Sequence, residues 1–222
     1  MATSRIYTKL GDDGSTGLLF GGRTSKASPL IETVGCIDET VAALGMARAA
    51  AAVDATRACN AENADPTTEA DSIKCSRVGS SQPDNSLVAD ILAVQRDLFV
   101  VGADLVANPH GRDQLVPGVS LVTPDMVARL ERRIDELMTA KPLRPVFVLP
   151  GANAVSAALD VARTLVRRAE RRLVAYQANC SPDVPINDQV AVYVNRVSDL
   201  LYVLARQAAG DEEEPASHGG IG

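Results

Sequence analysis

The chain has 222 residues, 46% hydrophobic and 23% charged, which fits one compact domain or two small ones. Its net charge of −6 resides in the C-terminal run Asp211, Glu212, Glu213, Glu214 and in the acidic stretch 54–86, so the remainder is near neutral and offers no general face for nucleic acid. Four Tyr, three Phe and no Trp argue against a stacking platform for single strands, and only two His, His110 and His218, argue against a His-rich metal cage.

Cys36, Cys59, Cys75 and Cys180 show no CxxC spacing, so they read as reduced thiols rather than a zinc site or a disulfide framework. No apolar run reaches the ~18 residues of a membrane span, and the first residues lack the apolar segment of a secretory signal.

Residues Arg5–Ser28 hold five glycines among Ser, Thr, Lys and Arg, which predicts a loop. Gly17–Thr24, GLLFGGRT, approaches the phosphate-binding pattern GxxxxGK[ST], with Arg23 in place of Lys. The strand that should precede a true P-loop is missing. Two readings remain: a loose floppy arm, or a mobile loop whose amides and bases Lys9, Arg23 and Lys26 wrap a polyphosphate.

A first helix is predicted over Pro29–Val53, where Ile31, Val34, Ile37, Val41 and Leu44 recur at steps of three and four. Asp38 falls on that stripe and needs a partner if buried. Residues Asp54–Ser86 contain two branched aliphatics, Ile73 and Val78, and read as a flexible polar insertion. The second helix spans about Leu87–Ala107. The third starts with Thr123 as N-cap, Pro124 in the first turn and Asp125 behind it. Prolines 142, 145 and 150 make Val146–Leu149 extended. Asn153 caps a fourth helix over about Ala154–Ala178, and the fifth runs over about Asp188–Ala209. The acidic tail 211–222 is expected to be disordered. Five amphipathic helices without a convincing sheet predict an all-α, five-helix bundle of the ferritin-like up-and-down type, with a glycine-rich N-terminal loop.

Chemistry concentrates on the last two helices. Arg163, Arg167 and Arg171 share one face of the fourth, with Glu170 placed to hold Arg167; Arg168 and Arg172 point elsewhere. This pattern suits either a solvated salt-bridged face or an anion site. On the fifth, Asn195, Asp199, Tyr202 and Arg206 form a stripe. Asn195 among apolar neighbours either closes a helix contact or reads a ligand.

Four blocks, in order, carry a resemblance. They are TKLGDDGSTGLLFGGRTSK at the start, VGCIDETVAALG in the first helix, FVLPGANAVSAALDVARTLVRRAER, and YVNRVSDLLYVLAR. Together they resemble the PduO-type ATP:corrinoid adenosyltransferases, with residues 1–210 as the domain. The resemblance implies transfer of the 5′-deoxyadenosyl group of ATP to cob(I)alamin, giving adenosylcobalamin and triphosphate. Cobalt is then the nucleophile, ATP and cobalamin the substrates, and Mg²⁺ rides on the phosphates with no protein ligand assigned. It implies that Thr8, Lys9, Leu10, Gly11, Thr16, Gly17 and Lys26 bind ATP together with Arg167, Arg168, Glu170, Arg171 and Asn195. It also implies that Asp38 pairs with Arg163 and that Phe147 stands against the corrinoid's lower face, these with Arg167 forming the catalytic set.

The family further implies a homotrimer with active sites between subunits and hand-off to an adenosylcobalamin-dependent enzyme, without membrane or nucleic acid. The compartment would be the cytoplasm in a bacterium or the mitochondrial matrix in a eukaryote. Leu10, Asp13, Ala152 and Tyr202 depart from the family's usual residues, and the tail lacks an aromatic. An ATP hydrolase and a catalytically silent corrinoid carrier are the competing readings. A di-metal carboxylate bundle is not one, because neither His lies three after a Glu.

Overall fold

A computed structural model describes residues 7–62, 83–181 and 184–216. Five helices make the body: α1 Pro29–Glu62, α2 Pro83–Leu105, α3 Pro124–Ala140, α4 Ala154–Asn179 and α5 Asp188–Ala209. A short 3-10 turn, Pro109–Gln114, follows α2, and two three-residue strands, β1 Ser15–Gly17 and β2 Arg23–Ser25, precede α1.

The helices run alternately up and down, and their ion pairs give the directions. Glu32 meets Arg172, and Glu39 meets Arg168, so α1 and α4 are antiparallel. Asp90 meets Arg133 and Asp97 meets Arg129, so α2 and α3 are antiparallel too. The closest packings are α1 on α4 and α4 on α5, with α2 behind α1 and α3 beside α5.

The core is the aliphatic stripe of each helix turned inward. Leu44, Ile91, Leu98, Leu159, Leu173, Leu200, Leu201 and Leu204 are fully buried. Each contributes roughly 1.5–3 kcal/mol by leaving water. Tyr193 is buried with them and donates its hydroxyl to Asp97 Oδ2 at 2.8 Å. Burial, with Asp97 adding to it, pushes this phenol well above its ordinary range. The caps are those the sequence predicts. Thr123 Oγ1 accepts from Met126 N, and Asn153 exchanges a reciprocal pair of bonds with Ser156.

Four expectations change. The first helix does not end at Val53 but continues to Glu62, and α2 begins at Pro83 rather than Leu87. The segment 54–62 holds neither Gly nor Pro, so nothing stops propagation, and Pro83 suits a first turn. Residues 54–62 and 83–86 of the expected insertion are therefore helical; residues 63–82 lie outside the described residues.

The glycine-rich start is not a floppy arm. Its strands pair antiparallel, Ser15 with Ser25 and Gly17 with Arg23. Its tip then docks on the end of α2, where Leu19 N donates to Val106 O at 3.0 Å and Asn108 N to Leu19 O at 2.9 Å.

Asp38 does not lie in the core but is exposed. The buried face of α1 runs instead through Thr33, Cys36, Ile37, Thr40, Leu44 and Ala47. The tail is held as far as Ala216, since Glu213 is buried and Pro215 pairs with Val148. Of the tail, residues 217–222 lie outside the described residues.

Candidate active site

The up-and-down order gives the bundle two poles. At one gather the starts of α1, α3 and α5 and the ends of α2 and α4; at the other, the α3–α4 loop and the end of α5.

The hairpin occupies the first pole. Thr8, Lys9 and Leu10 are exposed on it, as are Gly17 and Lys26, while Gly11 and Thr16 are half-buried. Lys26 Nζ donates to Gly11 O at 2.7 Å, which bends the loop back on β2. Lys9 takes a left-handed backbone (φ 61°), as does Gly22 (φ 83°). A Cβ on Gly22 would lie 2.8 Å from Asn108 Nδ2, which itself donates to Gly21 O at 2.8 Å.

Asp13 accepts from Ser15 N at 2.9 Å and from Ser15 Oγ at 2.7 Å, with the Arg23 guanidinium 3.5 Å away. These hydrogen bonds, more than the cation, hold its carboxyl below the usual carboxylate range. Arg23 is thereby tied to Asp13 and Ser15, and Lys9 and Lys26 remain as the ammonium groups of the loop.

Beneath the hairpin sits a polar hub that sequence reasoning missed. Asp104, almost fully buried, pairs with Arg112 at 2.5 Å. It also accepts from Val122 N at 2.9 Å and from Asn187 Nδ2 at 2.7 Å. Its signal was available: Asp104 falls three after Val101 and one before Leu105, on the buried stripe of α2.

On α4 the five cations divide. Arg168 pairs with Glu39 and Arg172 with Glu32 at 3.6 Å, stitching α4 to α1. Arg167 and Arg171 are exposed and have no ion-pair partner among the described residues. Glu170 does not hold Arg167. It accepts from Asn195 Nδ2 at 2.9 Å, Asn195 Oδ1 accepts from Arg196 at 2.8 Å, and Arg196 reaches Glu131 at 2.8 Å. The half-buried Asn195 is thus fixed by a chain across three helices, and its carboxamide orientation is set by charges on both sides.

Nor do Asp38 and Arg163 pair within one chain. Arg168 sits beside Glu39, so Arg163 lies about five residues further along α4, roughly 8 Å at the helical rise. Arg163 lies instead 3.9 Å from Asp160 and 5.3 Å from the Tyr202 ring centroid, and Arg206 covers the same ring at 5.4 Å.

The second pole carries Phe147, 86% exposed on the α3–α4 loop. It is the full length of α4 from the hairpin. At ~1.5 Å per residue, the 26 residues of that helix span about 39 Å. One chain therefore gathers the loop cations at one end and the exposed ring at the other.

Comparison with known proteins accounts for this arrangement. The family model described as cobalamin adenosyltransferase matches residues 6–208. The chain is 34% identical to a corrinoid adenosyltransferase of Bacillus subtilis, over 91% of this chain and 85% of that protein. It is 33% identical to one of Mycobacterium tuberculosis, over 94% and 90%. Among solved structures it is similar to a variant PduO-type ATP:corrinoid adenosyltransferase from Lactobacillus reuteri complexed with cobalamin and ATP. That likeness has a TM-score of 0.68 and 25% identity, and covers 92% of this chain and 91% of that one. With the four sequence blocks standing on the helices and loops described above, the chain belongs to the cobalamin adenosyltransferase family, of the PduO type.

Proposed function

We propose that this protein transfers the 5′-deoxyadenosyl group of ATP to cob(I)alamin, releasing triphosphate. The observation that carries the reading, in a member of this family, is what the two poles offer. They present ammonium and guanidinium groups and an exposed phenyl ring, and among the described residues no hydrogen-bonded Ser–His or Cys–His pair; the Ser15 hydroxyl is engaged with Asp13 inside the loop. Such a site suits a reaction whose nucleophile belongs to a substrate. Cob(I)alamin supplies the electron pair, a cobalt–carbon bond forms at C5′, the C5′–oxygen bond breaks, and the pair leaves with triphosphate.

The residues take these roles in the proposal. Thr8, Lys9, Leu10, Gly11, Thr16, Gly17 and Lys26 wrap the triphosphate with backbone amides and ammonium charge. Arg167 and Arg171, without an ion-pair partner among the described residues, stabilise the negative charge that grows on the leaving group. Arg168 serves from its Glu39 pairing as part of the wall. Asn195, oriented by Glu170, hydrogen-bonds the nucleotide. Phe147 meets the corrinoid's lower face, excluding water and the lower axial ligand.

Among the described residues no three His, Cys, Asp or Glu side chains stand close enough to hold a metal ion. Mg²⁺ enters on the phosphate oxygens of ATP, where it neutralises charge. Because the loop and Phe147 are at opposite poles, the complete site is formed between copies, and the resemblance to the family makes that assembly a homotrimer. The exposed Asp38 then pairs with Arg163 of a neighbouring copy. Among the described residues no helix is long and apolar enough to cross a membrane. The compartment follows the organism, bacterial cytoplasm or mitochondrial matrix, and the product passes to an adenosylcobalamin-dependent enzyme.

The test is anaerobic: prereduced cob(I)alamin, Mg²⁺ and ATP are mixed with the protein, and the cobalt spectrum and released phosphates are followed. A photolabile alkylcobalamin with stoichiometric triphosphate is the expected result. Bound cobalamin without turnover would make the protein a carrier, and orthophosphate released without corrinoid would make it a hydrolase.

A further inference from the structure

The α3–α4 loop that presents Phe147 has no regular structure of its own, and three prolines deny it amide donors. Between Pro142 and Ala152, its hydrogen bonds to another element among the described residues run to the C-terminal segment. Leu149 N donates to Glu214 O at 2.8 Å, Phe147 O accepts from Ala216 N at 2.8 Å, and Arg144 Nη1 reaches Glu213 O at 3.4 Å. The first two form a narrow antiparallel pair around Val148 and Pro215, with one bond made by the backbone of Phe147 itself.

The segment is anchored by a charge in the interior. Gly210 ends α5 in a positive-φ conformation (φ 64°), which turns the chain back over the loop. Glu213 then buries its carboxylate 3.2 Å from Arg206 Nε, both side chains about 5% exposed. Arg206 is held from the other side by Asp160 of α4, and Asp160 also neighbours Arg163. Two carboxylates thus balance two guanidiniums around the Tyr202 ring, and buried charges persist only when paired in this way. An acidic tail that buries one glutamate beside the core's arginine is a built attachment.

We propose that Glu213–Ala216 is a strap that positions Phe147, with Glu213 as its clasp on Arg206. The strap touches no substrate. It fixes the backbone at Phe147 and two residues beyond it, so that the almost fully exposed ring keeps its angle while meeting the corrinoid. The proposal rests on the adenosyltransferase reading for what Phe147 meets.

Two variants separate the strap from the fold: Glu213→Gln, and truncation after Gly210. Neither removes a residue of the hydrophobic core, and Arg206 keeps Asp160. The first readout is hydrogen exchange at the Leu149 amide, which needs no activity, and its protection should fall in both variants. The second is the kinetic split. The corrinoid KM should rise about tenfold, the worth of one or two net hydrogen bonds, while the ATP KM stays within about twofold. The fraction of bound cob(II)alamin lacking its lower ligand should fall in parallel, and Glu213→Asp should recover part of each loss. Unchanged Leu149 protection overturns the strap. Equal rises in both KM values overturn positioning in favour of general damage. A full-length chain that fails to alkylate cob(I)alamin removes the parent reading and the strap's catalytic role with it, and that is seen before any variant is made.

Discussion

Arg167 and Arg171 stand one turn apart on α4 in open water, while Arg168 and Arg172, one position along, are tied to α1. The division is a matter of angle: one residue is about 100° of helix, enough to move a guanidinium from the α1 seam to solvent. Arg167→Ala therefore removes no ion pair or hydrogen bond seen among the described residues. Its melting temperature should match the parent, and kcat/KM should fall at least ~100-fold, as when one preorganised donor to a developing anion is lost. A near-normal kcat/KM would take the residue out of the site. Phe147→Ala also leaves the core untouched. It should slow the route from cob(II)alamin more than the route from prereduced cob(I)alamin, and equal losses would refute the axial role.

At this scale the sequence shows spacing but not partners. The i, i+4 row of arginines was legible because one helix fixes it. Glu170 turning to Asn195 and Arg163 turning to Tyr202 depend on how α4 and α5 are rotated against each other, which no single helix encodes.

Element boundaries were legible wherever a cap wrote them. Thr123 with Pro124, and Asn153 before α4, stand where the sequence puts them. The end of α1 had no such mark, because composition rather than capping suggested a stop after Val53, and α1 ran on. The glycine-rich start failed differently. Its order comes from a partner far along the chain, the 3-10 turn after α2, and Gly111 shows how closely they meet. A Cβ there would lie 2.6 Å from Phe20 Cβ.

The hairpin's geometry is testable at Gly22. Gly22→Ala imposes a left-handed conformation on a residue with a Cβ, at roughly 1–2 kcal/mol, and pushes Asn108 away from Gly21. Steady-state kinetics should show the ATP KM rising about three- to tenfold with the corrinoid KM unchanged. A matched rise in both would mean that the hairpin does not serve the nucleotide alone.

For the whole molecule, the five-helix, up-and-down architecture followed from periodicity, because each helix must bury one stripe. Which helices are neighbours did not follow. α1 packs on α4, three elements later, through Glu32 and Glu39, and only their pairing with Arg172 and Arg168 reveals it. The separation of hairpin and Phe147 predicts a complementation. Lys26→Ala and Phe147→Ala subunits, each poor in the route from cob(II)alamin, should recover activity when mixed, dissociated and reassembled. In a trimer whose sites each join a loop from one copy to a ring from the next, random assembly makes about one site in four whole. Recovery near that fraction is the expected outcome, and none at all would place the complete site within one chain.

The odd number of passes has its own consequence. A bundle with four or six alternating helices returns its C-terminus to the pole where it began. One with five leaves the two ends of the chain facing away from each other. On the proposed assignment the hairpin near the beginning holds the nucleotide and the end supplies the strap beside Phe147, so each end of the described chain serves a different substrate. Dilution then becomes a variable of catalysis. On the proposed assembly, dilution below the concentration at which copies hold together should leave every chain folded with both its half-sites and stop the transfer.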